Sequence, residues 1–310
     1  MNNRNNAGIN GWVALAFVGI ALVAFTGGFY AGAILSAEQT VTIVDDYGRQ
    51  IKLTGVPDRI VSIAPTPTEV LFAIGAGDLV VGVDDYSDYP TEANNITRVG
   101  NALELNVEAI VGLKPDLVIT GDLVPKALKR VEDRGIPYMV LAARTLSDVV
   151  KDIRLMGAVT GHIQDASTLA DSLEVRIKAV TNMTLAPTVV RPKVYIEYYE
   201  YFTFGPGSFG DDLLRAAGGV NIAGSTSSEY PVVGPEFVVA ADPDIIVYTV
   251  GVMTTVAPSD FGKRPGWENI TAVVDDAIYS IDDNLVSRYG PRVVDGLEQL
   301  AAILHPELFS

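Results

Sequence analysis

Two stretches of the chain carry one frame. Asn106 to Gly121 reads NVEAIVGLKPDLVITG, and Gly234 to Gly251 reads GPEFVVAADPDIIVYTVG. Each opens on a short helical segment with a glutamate at its second position, Glu108 or Glu236. Six residues follow, then Pro-Asp, then an apolar run of strand length. A helix that feeds directly into a buried strand implies a parallel sheet flanked by helices. Its repetition implies one structural unit used once in each half.

The rest of the chain agrees. VTIVDDYGRQIKL (Val41 to Leu53) alternates around an Asp-Tyr-Gly turn and predicts a hairpin. Strands are expected at RIVSIAP (Arg59 to Pro65), LVVGV (Leu79 to Val83), PDLVITG and PYMVLAA (Pro137 to Ala143), with helices between them. The same texture resumes at VYIEYYEYFTF (Val194 to Phe204) and runs to an amphipathic helix at Pro291 to Leu304. Between the halves, Thr145 to Asn182 holds a helical period, and Thr145 with Asp148 forms a capping-box pattern. If continuous, that helix is roughly 55 Å long. Gly157 and Gly161 interrupt it, marking a kink or a close approach of another backbone. The expected fold is α/β: two Rossmann-like lobes with parallel sheets, joined by a long rigid helix, with a ligand cleft between them. The expected limits are 1–37 for an N-terminal anchor, 38–144 and 185–310 for the lobes, and 145–184 for the interlobe helix.

Composition narrows the function. A formal net charge of −16 argues against nucleic acid and anionic membrane surfaces. No cysteine is present, so there is no disulfide, thiolate metal site or lipid-modified cysteine. No charge lies between Arg4 and Glu38, and Trp12 to Leu35 is almost wholly apolar. A helix of that length spans roughly 36 Å, against a hydrocarbon core of about 30 Å. A single N-terminal membrane anchor, with the lobes outside the cell, is therefore expected, and a cleaved secretory signal is the alternative.

Enzyme signals are weak. GPGSFG (Gly205 to Gly210) matches G-x-G-x-x-G, but Asp211 and Asp212 open its helix where a pyrophosphate would sit. A structural strand-to-helix turn is expected instead. The two histidines, His162 and His305, are expected to be structural, and no metal site or resident cofactor is expected.

Aromatic residues are the remaining signal. Tyr86 and Tyr89 sit in DDYSDYP (Asp84 to Pro90), directly after a strand. Tyr198, Tyr199, Tyr201, Phe202, Phe204 and Phe209 surround a strand end in the second half, Tyr230 precedes Pro231, and Trp267 lies in RPGW. Ligands of open α/β sheets sit at the carboxyl ends of strands, and rings there suit a large, flat guest.

From about Val41 to Phe309 the chain resembles the substrate-binding proteins of iron-siderophore and cobalamin ABC importers. RIVSIAPTPTEVLFAIGAGDLVVGV, NVEAIVGLKPDLVI, AAGGVNIA, RPGWENITAV and GPRVVDGLEQLAAILHPELF carry the resemblance. It implies two α/β lobes joined by one rigid helix, a metal chelate as ligand, and an ABC permease dimer with cytoplasmic ATPase subunits as partner. It further implies that Tyr86 faces a corrin, with Tyr198 and Tyr230 in the same pocket. Ala102 stands where the cobalamin-binding members hold a pocket tryptophan. Thr66, Trp267 and Arg288 complete the expected ligand set. Glu108 and Glu236 match the glutamates that dock on permease arginines.

A corrinoid is the expected ligand and a ferric siderophore the alternative. An anionic siderophore would call for clustered positive charge, for which Arg264, Arg288 and Arg292 are the candidates. Haem is a further alternative, with a tyrosine as axial ligand. Outside transport, an enzyme or sensor ectodomain on the same fold is the rival reading.

Overall fold

The computed structural model describes residues 40–251 and 257–309. A hairpin comes first, β1 (Thr40–Val44) and β2 (Gln50–Thr54), antiparallel. Buried Asp45 holds its turn, accepting from Tyr47 N (3.1 Å), Arg49 N (2.9 Å) and the Arg49 guanidinium (2.6 Å).

The first lobe continues with β3 (Ile60–Ile63), α1 (Pro65–Ala73), β4 (Val80–Val83), α2 (Val107–Leu113), β5 (Leu117–Thr120), α3 (Leu128–Glu132) and β6 (Tyr138–Val140). Then come α4 (Leu146–Thr160) and α5 (Ile163–Thr184). The second lobe holds β7 (Lys193–Glu197), α6 (Phe209–Ala216), β8 (Val220–Asn221), α7 (Pro235–Ala241) and β9 (Ile245–Val250). It closes with α8 (Pro258–Phe261), α9 (Thr271–Val274), β10 (Ile278–Asp282), α10 (Asn284–Ser287) and α11 (Val293–Leu304).

Each lobe has a four-stranded parallel sheet, ordered β4-β3-β5-β6 and β10-β9-β7-β8. Numbered within its own lobe, each sheet reads 2-1-3-4. The repeated Pro-Asp does one job in both. Asp116 Oδ2 accepts from Arg59 N (2.9 Å), and Asp244 Oδ2 accepts from Lys193 N (2.6 Å). The same two basic side chains reach back to the helix ends, Arg59 to the Leu113 carbonyl (2.7 Å) and Lys193 to that of Ala241 (2.9 Å). The frame therefore stitches a helix end and an incoming strand to the first strand of its sheet.

Both faces of each sheet are covered, as buried parallel strands require. Residues alternate along β5 and β7. Leu117, Ile119, Val194 and Ile196 enter one core cluster that runs through α1, α4, α5, α6 and α11 of both lobes. Val118 enters a second cluster under α2 and α3, and Tyr195 a third under α7.

The expected continuous helix from Thr145 to Asn182 is corrected. Gly161 takes a left-handed backbone (φ 76°) that ends α4, and α5 restarts from His162. The two helices pack on each other so closely that a Cβ on Gly157 would lie 2.3 Å from Ala166 Cβ. Helical periodicity ran on through the break because both helices bury one face. Only α5 leads from the first lobe into the second.

The expected N-terminal anchor lies outside the described residues. Among the described residues no helix is long and apolar enough to cross a membrane.

Candidate ligand-binding cleft

All four strands of the first sheet end on one cavity of about 430 Å³. Thr66 follows β3, Tyr86 follows β4, Asp122 follows β5 and Ala143 follows β6. From the second lobe, Tyr198 follows β7, and Asp283, Arg288 and Tyr289 follow β10. The cavity therefore lies at the carboxyl ends of both sheets, the ligand position of open α/β folds.

The loop carrying Tyr86 is pinned at almost every polar residue. Asp84, buried, accepts from Ser87 Oγ and from Tyr86 N (3.3 Å). Ser87 Oγ meets Thr68 Oγ1 (2.8 Å), which meets Ser62 Oγ (2.7 Å). Arg98 donates to the carbonyls of Asp84 (2.5 Å) and Ser87 (2.7 Å). Asp88 accepts from Arg288 of the other lobe (2.5 Å), and the Arg292 guanidinium lies 3.9 Å from the Tyr89 ring centre. Tyr89–Pro90 is cis. Tyr86 is left 60% exposed on the cavity wall, a ring held on a rigid mount.

The arginines near the cleft are already paired. Glu69, on α1 and 2% exposed, accepts from Arg292 (2.6 and 3.0 Å) and Arg288 (3.4 Å). Arg264 forms a two-pronged pair with buried Glu197 (2.6 Å each) and packs among the rings of Tyr201, Phe261 and Trp267. Among the described residues, Arg288 is the one basic side chain lining the cavity, and two carboxylates meet its charge. The Asp88 carboxyl is in turn held below its ordinary range, first by its hydrogen bond from Arg288.

Acidic groups line the same wall: Asp84, Asp122, Asp152 and Asp283. Burial raises the Asp84 carboxyl, opposed by the hydrogen bonds from Ser87 and Tyr86 N. Asp152 is pushed up to about 8, chiefly by burial and then by the neighbouring Asp46 carboxylate.

Of the ligand residues expected from sequence, Thr66, Tyr86, Ala102, Tyr198 and Arg288 line this cavity. Two do not. Tyr230 stacks parallel to Phe202 at 6.0 Å and meets Phe204 edge-on. It reaches the wall through Tyr289, whose phenol is raised by burial and by the Tyr230 phenol beside it. Trp267 is fully buried, edge-on to Tyr195 and Tyr201 and beside Arg264, so its ligand role is corrected to a core role. Tyr289, which takes Thr66 Oγ1 as the acceptor for its backbone N–H (3.1 Å), went unnoticed in the sequence. So did Asp122, Asp152 and Asp283, because single acidic residues in separate elements form no pattern.

Glu108 and Glu236 stand exposed in the first turns of α2 and α7, outside the cavity wall. Glu108 pairs with Arg134 (3.1 Å) and Arg130 (3.4 Å). GPGSFG is a strand-to-helix turn. Ser208 caps α6, Asp211 accepts from Asn221 (2.8 Å), and Asp212 accepts from Leu146 N (2.9 Å). A Cβ on Gly205 would lie 2.0 Å from the Ser228 carbonyl oxygen.

Two parallel-sheet lobes meeting strand end to strand end over a cleft define a two-lobed ligand-binding protein. The chain belongs to the periplasmic binding protein family, whose model matches residues 60–285. It is 32% identical over 280 residues, 87% of each chain, to an ABC transporter substrate-binding lipoprotein of Bacillus subtilis. It is 30% identical over 289 residues to the cobalamin-binding protein of Halobacterium salinarum, 89% of this chain and 77% of that one. Among solved structures, the periplasmic haem-binding protein of Roseiflexus sp. RS-1 superposes with a TM-score of 0.72 at 29% identity. That superposition covers 81% of this chain and 99% of the other. The chain is thus a substrate-binding protein of the ABC-transporter type, a family of binders rather than of enzymes.

The localisation expected from sequence, a single transmembrane anchor in the cell membrane, is not supported. No described helix can span a membrane, and these relatives are named as a lipoprotein and as a periplasmic protein.

Proposed function

We propose that this protein captures a corrinoid outside the cytoplasm and delivers it to an ABC permease, without transforming it. The observation that carries the corrinoid reading is the charge of the cleft. Four aspartates line it, of which Asp152 alone is pushed up to about 8 and keeps its proton at neutral pH, and its one guanidinium is already met by Asp88 and Glu69. A corrinoid presents a flat ring fringed by amides, which can donate to carboxyl groups and lie against Tyr86 and Tyr198. Haem carries two propionates and a catecholate siderophore carries several negative charges. Either would meet like charge with no unpaired arginine to receive it, at a cost of several kcal/mol. The cobalamin-binding relative from Halobacterium salinarum supports the same reading.

Titration by intrinsic fluorescence or calorimetry tests it. Cobinamide or cobalamin should bind at least about 100-fold more tightly than haem or a ferric catecholate. Tyr86→Ala should weaken corrinoid binding by roughly tenfold, the value of one stacked ring. Tighter binding of haem or of an anionic siderophore would overturn the assignment. Glu108 and Glu236 are the permease-docking groups in this reading, one on each lobe.

A further inference from the structure

Asp152 is a wall residue that the fold does not account for. It lies seven residues into α4, past the first turn where a helix N-terminus favours a carboxylate. The other buried positions around it, Val149, Val150, Ile153 and Met156, are apolar. The residue is 4% exposed and lines the cleft, and its Oδ1 has no hydrogen-bond partner among the described residues. Lys151, next in the chain, reaches Asp46 instead (2.9 Å).

The charged groups around Asp152 are few. Asp46 faces it from the hairpin turn, within hydrogen-bonding reach, and Lys151 and Asp148 flank it on its own helix. The other charged groups on the cavity wall are Asp84, Asp122, Asp283 and Arg288. Asp46 is fixed in place, accepting from Ala142 N (2.7 Å) and Lys151 Nζ. Burial and Asp46 push the Asp152 carboxyl up to about 8, so at neutral pH it keeps a proton that can be given to Asp46. A buried polar atom without a partner costs free energy, and a leucine would pack on this helix face without that cost. A guest in the cleft offsets it.

We propose that Asp152 is a ligand-recognition group of the cleft. One of its oxygens is held against Asp46, and the other accepts a hydrogen bond from an amide N–H on the fringe of the guest. The inference rests on the corrinoid reading, which supplies those amides. A donor bound there favours the carboxylate over the acid. Guest and proton therefore oppose each other at Asp152, and binding tightens as pH rises toward about 8 and levels off above it.

Calorimetric titration of cobinamide into wild type, Asp152→Asn and Asp152→Leu, from about pH 6.5 to about pH 9, tests this. Asp152→Leu should lose about tenfold or more in affinity at neutral pH. Asp152→Asn keeps a donor for Asp46 and an acceptor for the guest, and should stay within about threefold of wild type there. The rise in affinity up to about pH 8, with its plateau above, should be present in wild type and absent from Asp152→Asn. Cobinamide binding by Asp152→Leu at wild-type strength overturns the role of Asp152 alone. So does a flat wild-type profile, or one that Asp152→Asn reproduces, and this last comparison stands even if the leucine variant does not fold. Failure of wild type to bind cobinamide or cobalamin at any pH overturns the corrinoid reading, and this inference with it.

Discussion

Glu69 does the work of two partners. Its carboxylate, 2% exposed, meets Arg288 and Arg292, both from the opposite lobe. Arg288 passes on to Asp88, and Arg292 lies over Tyr89, so one residue on α1 fixes both ends of the Tyr86 loop's outer half. Truncation would strip the largely buried Arg292 guanidinium of its carboxylate and leave Arg288 with Asp88 alone. Breaking a buried pair from one side typically costs about 3–5 kcal/mol, because the remaining charge stays desolvated. Glu69→Ala should therefore lose roughly that much stability in urea unfolding, with Arg288 and Arg292 untouched. A loss below about 1 kcal/mol, the usual value of an exposed pair, would show that water reaches these groups freely. None of this was legible in the sequence. Glu69 lies more than two hundred positions from Arg288 and Arg292, and nothing local to PTEVLF says that its acid turns inward. Arg288 was expected at the ligand, and it does line the cavity, but with its charge already answered.

At the scale of elements, what the sequence showed was what repeats locally. The hairpin, the alternation of strands and helices, and the twin Pro-Asp frames all depend on residues within about twenty positions, and each is found in the fold. Strand β8 was missed because it is two residues long and shows no alternation. Gly161 stands out in the sequence as a kink or a close approach, but not as a full break, because α4 and α5 each bury one apolar face, so the period continues while the chain reverses. Two glycines on helices test this reading with opposite signs. Gly157 sits at the α4–α5 contact, where an added Cβ would lie 2.3 Å from Ala166 Cβ and 3.0 Å from the His162 carbonyl oxygen. Gly157→Ala should destabilise by about 1–3 kcal/mol through overpacking. Gly112, inside α2, has no atom within 4 Å of its would-be Cβ. Gly112→Ala should stabilise by roughly 0.5–1 kcal/mol, the helix-propensity difference. Thermal melts of the two variants read both signs. Stabilisation by Gly157→Ala would mean that the two helices are not in contact there.

At the scale of the whole molecule, the duplication raises one question that the fold does not answer. Asp116 and Asp244 stitch helix to strand in each lobe, so the Pro-Asp half of the frame is structural. The glutamates are not needed for that. A carboxylate in the first turn suits the helix dipole by about 0.3–1 kcal/mol, which explains either one singly and not the pair. Both stand exposed and outside the cavity wall, so the guest is not their partner. Glu108 holds Arg134 and Arg130 at the surface, where such pairs are worth about 0–1 kcal/mol. A permease arginine can displace them with little penalty and gain a charge-assisted contact. A dimeric permease has two equivalent faces, and a receptor with one acidic post on each lobe can meet both. Replacing Glu108 and Glu236 together with alanine should abolish stimulation of the importer's ATPase in proteoliposomes. Chelate affinity should stay within about twofold, because neither side chain shares a partner with the cleft, and each single variant should stimulate to an intermediate level. Wild-type stimulation by the double variant would return both residues to the role of helix caps. Loss of chelate binding would place them in the cleft's support instead.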